Sequence, residues 1–181
     1  MTIDEIFSTL LAHMRKGLMI HDQISTQFAF LNLPAYQKEH RKHLYEETRN
    51  YRRLYDFYIS NYEKLVPEGL IETPNLIPSN WYNHERIDVD TNTKRTAIRN
   101  IIKSWVDWET ETKTLLETSY KSLYDLGEIR AAIEIGKYIE EVSAELQGAH
   151  EKYISLESIG YDMVAIEDEQ KNIMRMMIDY D

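Results

Sequence analysis

The chain doubles back at Asn32-Leu33-Pro34, and the two runs flanking that break dictate a helical hairpin. Before it, Ile3, Phe7, Leu10, Met14, Gly17, His21, Ile24, Phe28 and Leu31 recur at alternating steps of four and three, which lays one seam along a single helix. Thr2 and Glu5 fit a capping box at its start. Pro34 suits the first turn of the next helix, and so short a break forces the two helices antiparallel. That second helix is expected from Pro34 to about Val66, ahead of Pro67. Its apolar stripe reads Leu44, Tyr51, Tyr55, Tyr58, Tyr62 and Leu65. A second stripe of Tyr36, His40, His43, Glu47, Asn50, Leu54 and Phe57 runs beside it. Polar residues therefore stand at core spacing on both arms, and His21, if its seam is buried, must be hydrogen-bonded or liganded.

From Pro67 the helical pattern stops. Pro67, Gly69, Pro74 and Pro78 mark an extended connection to about Asp90, long enough to cross the bundle lengthwise. Within it Asp88-Val89-Asp90-Thr91-Asn92 has the opening spacing of an EF-hand loop. Thr93 and Arg99 stand where that loop needs glycine and glutamate, so the segment reads as a helix N-cap. A third helix is expected from Thr91 to Leu126 on the seam Ile98, Ile101, Trp105, Trp108, Thr112, Leu115, Ser119 and Leu123, ended by Gly127. A fourth follows from Glu128 to about Ile159, with Ile129, Ile133, Gly136, Ile139, Val142, Leu146, Ala149, Tyr153 and Leu156 inward and Gly160 closing it. Tyr161 to Ile178 suggests a fifth helix with Ile173, Met174, Met177 and Ile178 as its apolar face. The expectation is one all-α domain over 1–181. It divides into a first hairpin (1–66), a crossover (67–90), a second hairpin (91–160) and a C-terminal helix (161–181).

Composition narrows the chemistry. With no cysteine there are no disulfides or thiolate sites, so any metal must take imidazole and carboxylate ligands. The formal charge of −10 is concentrated late in the chain: Glu128 to Asp181 holds 13 acids and 5 bases. Nucleic acid is an unsuitable partner for such a surface, and a basic protein face a suitable one. No phosphate loop, nucleophile elbow or His-Glu-x-x-His motif is present. Apolar runs stop after a few residues and the start is acidic at Asp4 and Glu5, so a cytoplasmic protein is expected.

Two hairpins joined by one long crossover, then a short helix, form an up-down-down-up layout that resembles the ferritin-like four-helix bundle. Tyr45-Glu46-Glu47-Thr48-Arg49-Asn50 resembles the Glu-Glu-x-x-His run of ferritins, with Asn50 in the histidine's place. Tyr138 to Glu145, including Glu140 and Glu141, is similar to the acidic run of their fourth helix, and Glu109 falls about where the third-helix carboxylate would be. The first helix offers no seam carboxylate, only His13 and His21 nearby. The resemblance implies a carboxylate-rich iron or manganese centre, and equal distance from the hairpin turn puts His21 level with His43 to Glu47. His21, His43, Glu47, Glu109 and Glu141 are the candidate ligands.

As a whole the chain is also similar, in size and acidity, to small phage and prophage proteins of the anti-CRISPR type, which inhibit RNA-guided nucleases. That resemblance implies a non-enzymatic binding protein without a cofactor, acting in the host cytoplasm on a basic protein partner, with homodimerisation open. The candidate contact residues are Glu140, Glu141, Glu145, Glu151, Glu167, Asp168 and Glu169. The sequence thus leads to two readings: an acidic binding protein of this type, or a ferritin-like metal protein acting in storage or oxidoreduction.

Overall fold

The computed structural model describes residues 1–67, 69, 71, 73–79, 81 and 89–178, with side chains to Arg175. Its elements are α1 (Ile3–Phe30), α2 (Pro34–Tyr62), α3 (Thr91–Asp125), α4 (Ile129–Ser158) and α5 (Met163–Ile178). Among the described residues there is no strand, and no helix is long and apolar enough to cross a membrane. Asp88 and residues 179–181 lie outside the described residues, as do the side chains of Met177 and Ile178.

Local signals act where they stand in the sequence. The Thr2 backbone N–H donates to Glu5 Oε2 at 2.7 Å and the Glu5 N–H to Thr2 Oγ1 at 3.3 Å, which satisfies two donors at the start of α1. Asp90 caps α3 by accepting from Asn92 and Thr93 N–H. Gly127, at φ +80°, closes α3 in a left-handed turn that a side chain would strain. The second helix ends at Tyr62, a turn before the expected Val66, because Glu63 itself takes the left-handed conformation at φ 53°. Leu65 is consequently 71% exposed.

α1 packs on α2 and α3 on α4, and the hairpins meet chiefly through α1 and α3. Cross-bundle pairs fix the directions. His13 bonds Thr112 and His21 approaches Glu109, while Asn50 bonds Glu141 and Tyr62 bonds Glu128, so α1 runs against α3 and α2 against α4. This is the up-down-down-up order. The first-helix seam is buried as expected from Phe7 to Leu31. On α2 both stripes reach the core, the second more than the first, and Tyr58 of the first stripe is buried. Tyr36, His40, Glu47, Asn50 and Leu54 are buried, whereas Leu44, Tyr51, Tyr55 and Tyr62 lie at the rim. Early α4 also differs, with Ala131, Ala132, Ile135 and Tyr138 facing inward and Ile129 and Ile133 exposed. Small alanines there let α4 approach closely, which the larger isoleucines would prevent.

The apolar core has two parts. One, around Ile24, Phe28, Tyr36, Ile98 and Ile102, fills the end beside the hairpin turn; the other, around Phe7, Leu54, Tyr58, Leu123 and Ile135, fills the far end. Each fully buried large side chain contributes roughly 1.5–3 kcal/mol. Between them lies a polar layer. α5 closes the turn end, where Gln170 Oε1 accepts from the Ala35 N–H at 2.8 Å and so caps a helix whose own N-cap, Leu33, offers no side-chain acceptor.

Candidate metal centre

The polar layer is built by all four long helices. α1 supplies His21, α2 supplies His40, His43, Glu46, Glu47 and Asn50, α3 supplies Glu109, and α4 supplies Glu141 and Glu145. His21 and Glu109 are 0% exposed and His40 is 1% exposed, so their polar atoms must find partners inside the protein.

His21 Nδ1 stands 3.5 Å from His40 Nδ1, and its Nε2, without a hydrogen bond, stands 3.6 Å from Glu109 Oε1. Glu109 Oε1 accepts from Trp105 Nε1 at 3.0 Å, and Oε2 has no partner. Burial, helped by His43, pushes His21 down to about 3, and burial with Glu145 and Glu47 pushes Glu109 well above the usual carboxylate range. Burial thus favours the uncharged form of each of these two groups.

Nearer the surface, ligand atoms of His43, Glu46 and Glu145 all lie within 4.8 Å of one another. His43 Nδ1 has no hydrogen bond and sits 3.6 Å from Glu46 Oε2. Burial, then repulsion from Glu46 and Glu141, raises Glu145 to about 7 despite Lys42 nearby. Behind it, Glu47 is raised to about 8 by burial and then by Glu145, Glu141 and Glu46. These carboxylates are crowded enough to retain protons near neutrality. The triad opens to solvent through a pocket of about 490 Å³ between α2 and α4, floored by Trp105 and rimmed by Lys42, Arg49, Ala144 and Gly148.

Of the five ligands expected from sequence, only His43 belongs to the converged triad. His21 and Glu109 form the interior pair, and Glu47 lies buried beside them. Glu141 lines the same pocket but is engaged elsewhere, accepting from Asn50 Nδ2 at 3.0 Å and facing Arg53 at 3.5 Å. Glu46 and Glu145 take its place, Glu145 having been assigned by sequence to partner contact. What the sequence does not carry is the register of the antiparallel α2–α4 pair. Carried on from Asn50 and Glu141, it sets Glu46 level with Glu145, and Glu46 lies one turn beyond His43. His13 is not a ligand here. It stacks on Trp108 at 4.1 Å and its Nε2 bonds Thr112, whose hydroxyl already donates to the Trp108 carbonyl. At Gly17 an added Cβ would lie 2.9 Å from Trp108, so Trp108 fills the space that a first-helix side chain would need there.

Of the seven expected partner-binding acids, Glu140, Glu151, Glu167 and Asp168 are exposed. Glu169 is held by the Tyr36 hydroxyl and Lys152, and Glu141 and Glu145 face the pocket.

An imidazole with two carboxylates is a donor set for iron, manganese or zinc. The orphaned His43 Nδ1 and the protons kept on Glu145 and Glu47 are what a divalent cation would relieve, so the residues fit such an ion.

No protein-family model and no curated protein matches the chain. Solved ferritin structures do match its fold. A novel open-pore ferritin from the hyperthermophilic archaeon Archaeoglobus fulgidus superposes with a TM-score of 0.76 at 14% identity, over 93% of this chain and 92% of that one. A closed form engineered from the same ferritin gives 0.76 at 15% identity, over 96% of each. An iron-soaked variant of PmFTN gives 0.73 at 10% identity, over 92% and 96%. The fold is thus the ferritin-like four-helix bundle with an added short helix.

Proposed function

We propose that this chain binds a divalent transition metal, iron or manganese, in the manner of a ferritin-like storage or redox protein. The observation that carries the reading is the convergence of His43, Glu46 and Glu145 at the mouth of a buried polar layer. His43, Glu46 and Glu145 would hold the ion, and the ion would supply a centre able to change oxidation state. The chain's own residues set the conditions. Glu145 and Glu47, protonated near neutrality, release protons as a cation arrives. Trp105 walls the pocket from the apolar core, and Lys42 limits the accumulation of negative charge. The ferritin likeness supports the fold on which this rests; the chemistry rests on the triad.

The nuclease-inhibitor reading rests on size and charge, and no comparison adds to it. Its residues are the four exposed acids of α4 and α5, not the full set expected from sequence.

Titrating chelator-stripped protein with Mn2+ and following loss of the free-ion EPR signal tests the metal reading. Saturable uptake by the parent, lost in His43→Ala and Glu145→Gln but kept in Glu140→Gln, is expected. Equal weak uptake by all four proteins would overturn it.

A further inference from the structure

The acids left at the surface have a counterpart on this same chain. Arg41, Arg49 and Arg52 of α2 are exposed and join no ion pair among the described residues, although acids outnumber bases 31 to 21. Tyr45, on the same side of the helix, is 71% exposed. Exposed tyrosine and arginine are the residues that most often anchor protein contacts. On α4 the exposed acids are Glu140 and Glu151.

The heights of these groups match. Asn50 bonds Glu141 and Arg53 reaches both Glu134 and Glu141, so along the antiparallel pair Arg49 and Arg52 stand level with Glu140, and Arg41 with Glu151. Eleven residues separate Arg41 from Arg52, and eleven separate Glu140 from Glu151, in each case roughly 16 Å of helix. Level with Tyr45, α4 presents the small residues Ala144 and Gly148. A Cβ added at Gly148 would meet nothing within 4 Å. Ala144 and Gly148 also rim the pocket over His43, Glu46 and Glu145.

We infer that the α2–α4 side is a self-association surface occupied by a second copy of this chain. A two-fold axis along the bundle lays α2 of each copy antiparallel over α4 of the other without changing any residue's height. It sets Arg41 against the other copy's Glu151, Arg49 and Arg52 against its Glu140, and Tyr45 in the hollow at Ala144 and Gly148. Every contact occurs twice, as an isologous interface requires. The basic surface that the acidic last third calls for is then another copy's α2. Closure of the pocket by the other copy's Tyr45 follows as well; that consequence rests on the metal reading, whereas the association does not.

Sedimentation equilibrium of the full chain in chelator, from micromolar to millimolar concentration, tests the inference without metal. The parent is expected to dimerise. The double variants Arg41→Glu/Arg52→Glu and Glu140→Arg/Glu151→Arg, altered only at exposed sites and verified by unchanged helical circular dichroism, each associate about tenfold or more weakly. An equimolar mixture of the two recovers association, because each then meets opposite charge on both helices. A parent that stays monomeric, an assembly indifferent to either reversal, or a mixture that fails to recover would overturn the inference. An external basic protein that binds the acids of a monomeric parent would overturn it too.

Discussion

Raising the pH of the metal-free protein from 6.5 to 8 tests the polar layer where its carboxylates dominate. Glu47 loses its proton at about 8 in the folded chain against 4.5 in the unfolded one. Between those values the folded chain holds a proton that the unfolded chain has released, so its stabilising contribution is complete below pH 4.5 and is lost as pH rises through 8. Each unit of that interval is worth about 1.4 kcal/mol, so Glu47 alone accounts for a loss of about 2 kcal/mol between pH 6.5 and 8. Glu109 shifts in the same direction, and Glu145, at about 7, adds to the lower part of the window. The buried histidines act the other way. His21 at about 3 and His13 at about 4, with His40 and His43 lowered in the same direction, contribute stability that is lost on acidification. Because an unfolded histidine is half-protonated at pH 6.5, the last part of it, about 0.4 kcal/mol per histidine, is gained between pH 6.5 and 7.5 and offsets part of the carboxylate loss. Guanidinium denaturation in chelator should therefore show a decline of about 2 kcal/mol or more from pH 6.5 to 8, or roughly 4–8 °C in Tm. With saturating Mn2+ the decline should shrink, because a cation held by His43, Glu46 and Glu145 takes the place of the Glu145 proton and its charge favours the ionised form of Glu47 behind it. Stability that is level or rising over this interval in chelator would refute the reasoning.

Two further outcomes follow from packing and capping. Gly17→Ala puts a Cβ 2.9 Å from a Trp108 ring that is buried and stacked on His13, so despite alanine's better helix propensity the variant should be about 1–2 kcal/mol less stable by urea denaturation. Gln170→Leu leaves the buried Ala35 N–H without its acceptor and should lose about 1–3 kcal/mol, with hydrogen exchange quickening first at the start of α2.

The fold was legible because its determinants are local and periodic. Thr2 with Glu5, Pro34, Asp90 and Gly127 punctuate the helices at their own positions, and the seam from Phe7 to Leu31 names the buried face of α1 directly. The site was legible only in part. On α2 the tyrosine stripe is the more hydrophobic, yet only its Tyr58 is buried, while most of the histidine and glutamate stripe lies inside. Periodicity gives the angle between two faces but not which of them a neighbouring helix covers. Early α4 shows the same ambiguity, since Ile129 and Ile133 outrank Ala131 and Ala132 in hydrophobicity and lose to them on fit. The hairpin rule located His21 against His43 correctly because both lie on one short-looped pair. Glu46 and Glu145 belong to α2 and α4, whose relative height depends on the crossover and on α3, a register that only contacts such as Asn50 with Glu141 reveal.

The central claim, that His43, Glu46 and Glu145 together hold a divalent metal, is tested most directly by an anomalous difference map from crystals grown with Mn2+. A peak bounded by those three side chains, absent in Glu145→Gln crystals, is the predicted result. A map without a peak there, or with manganese bound at surface acids such as Glu167 and Asp168 instead, would contradict it.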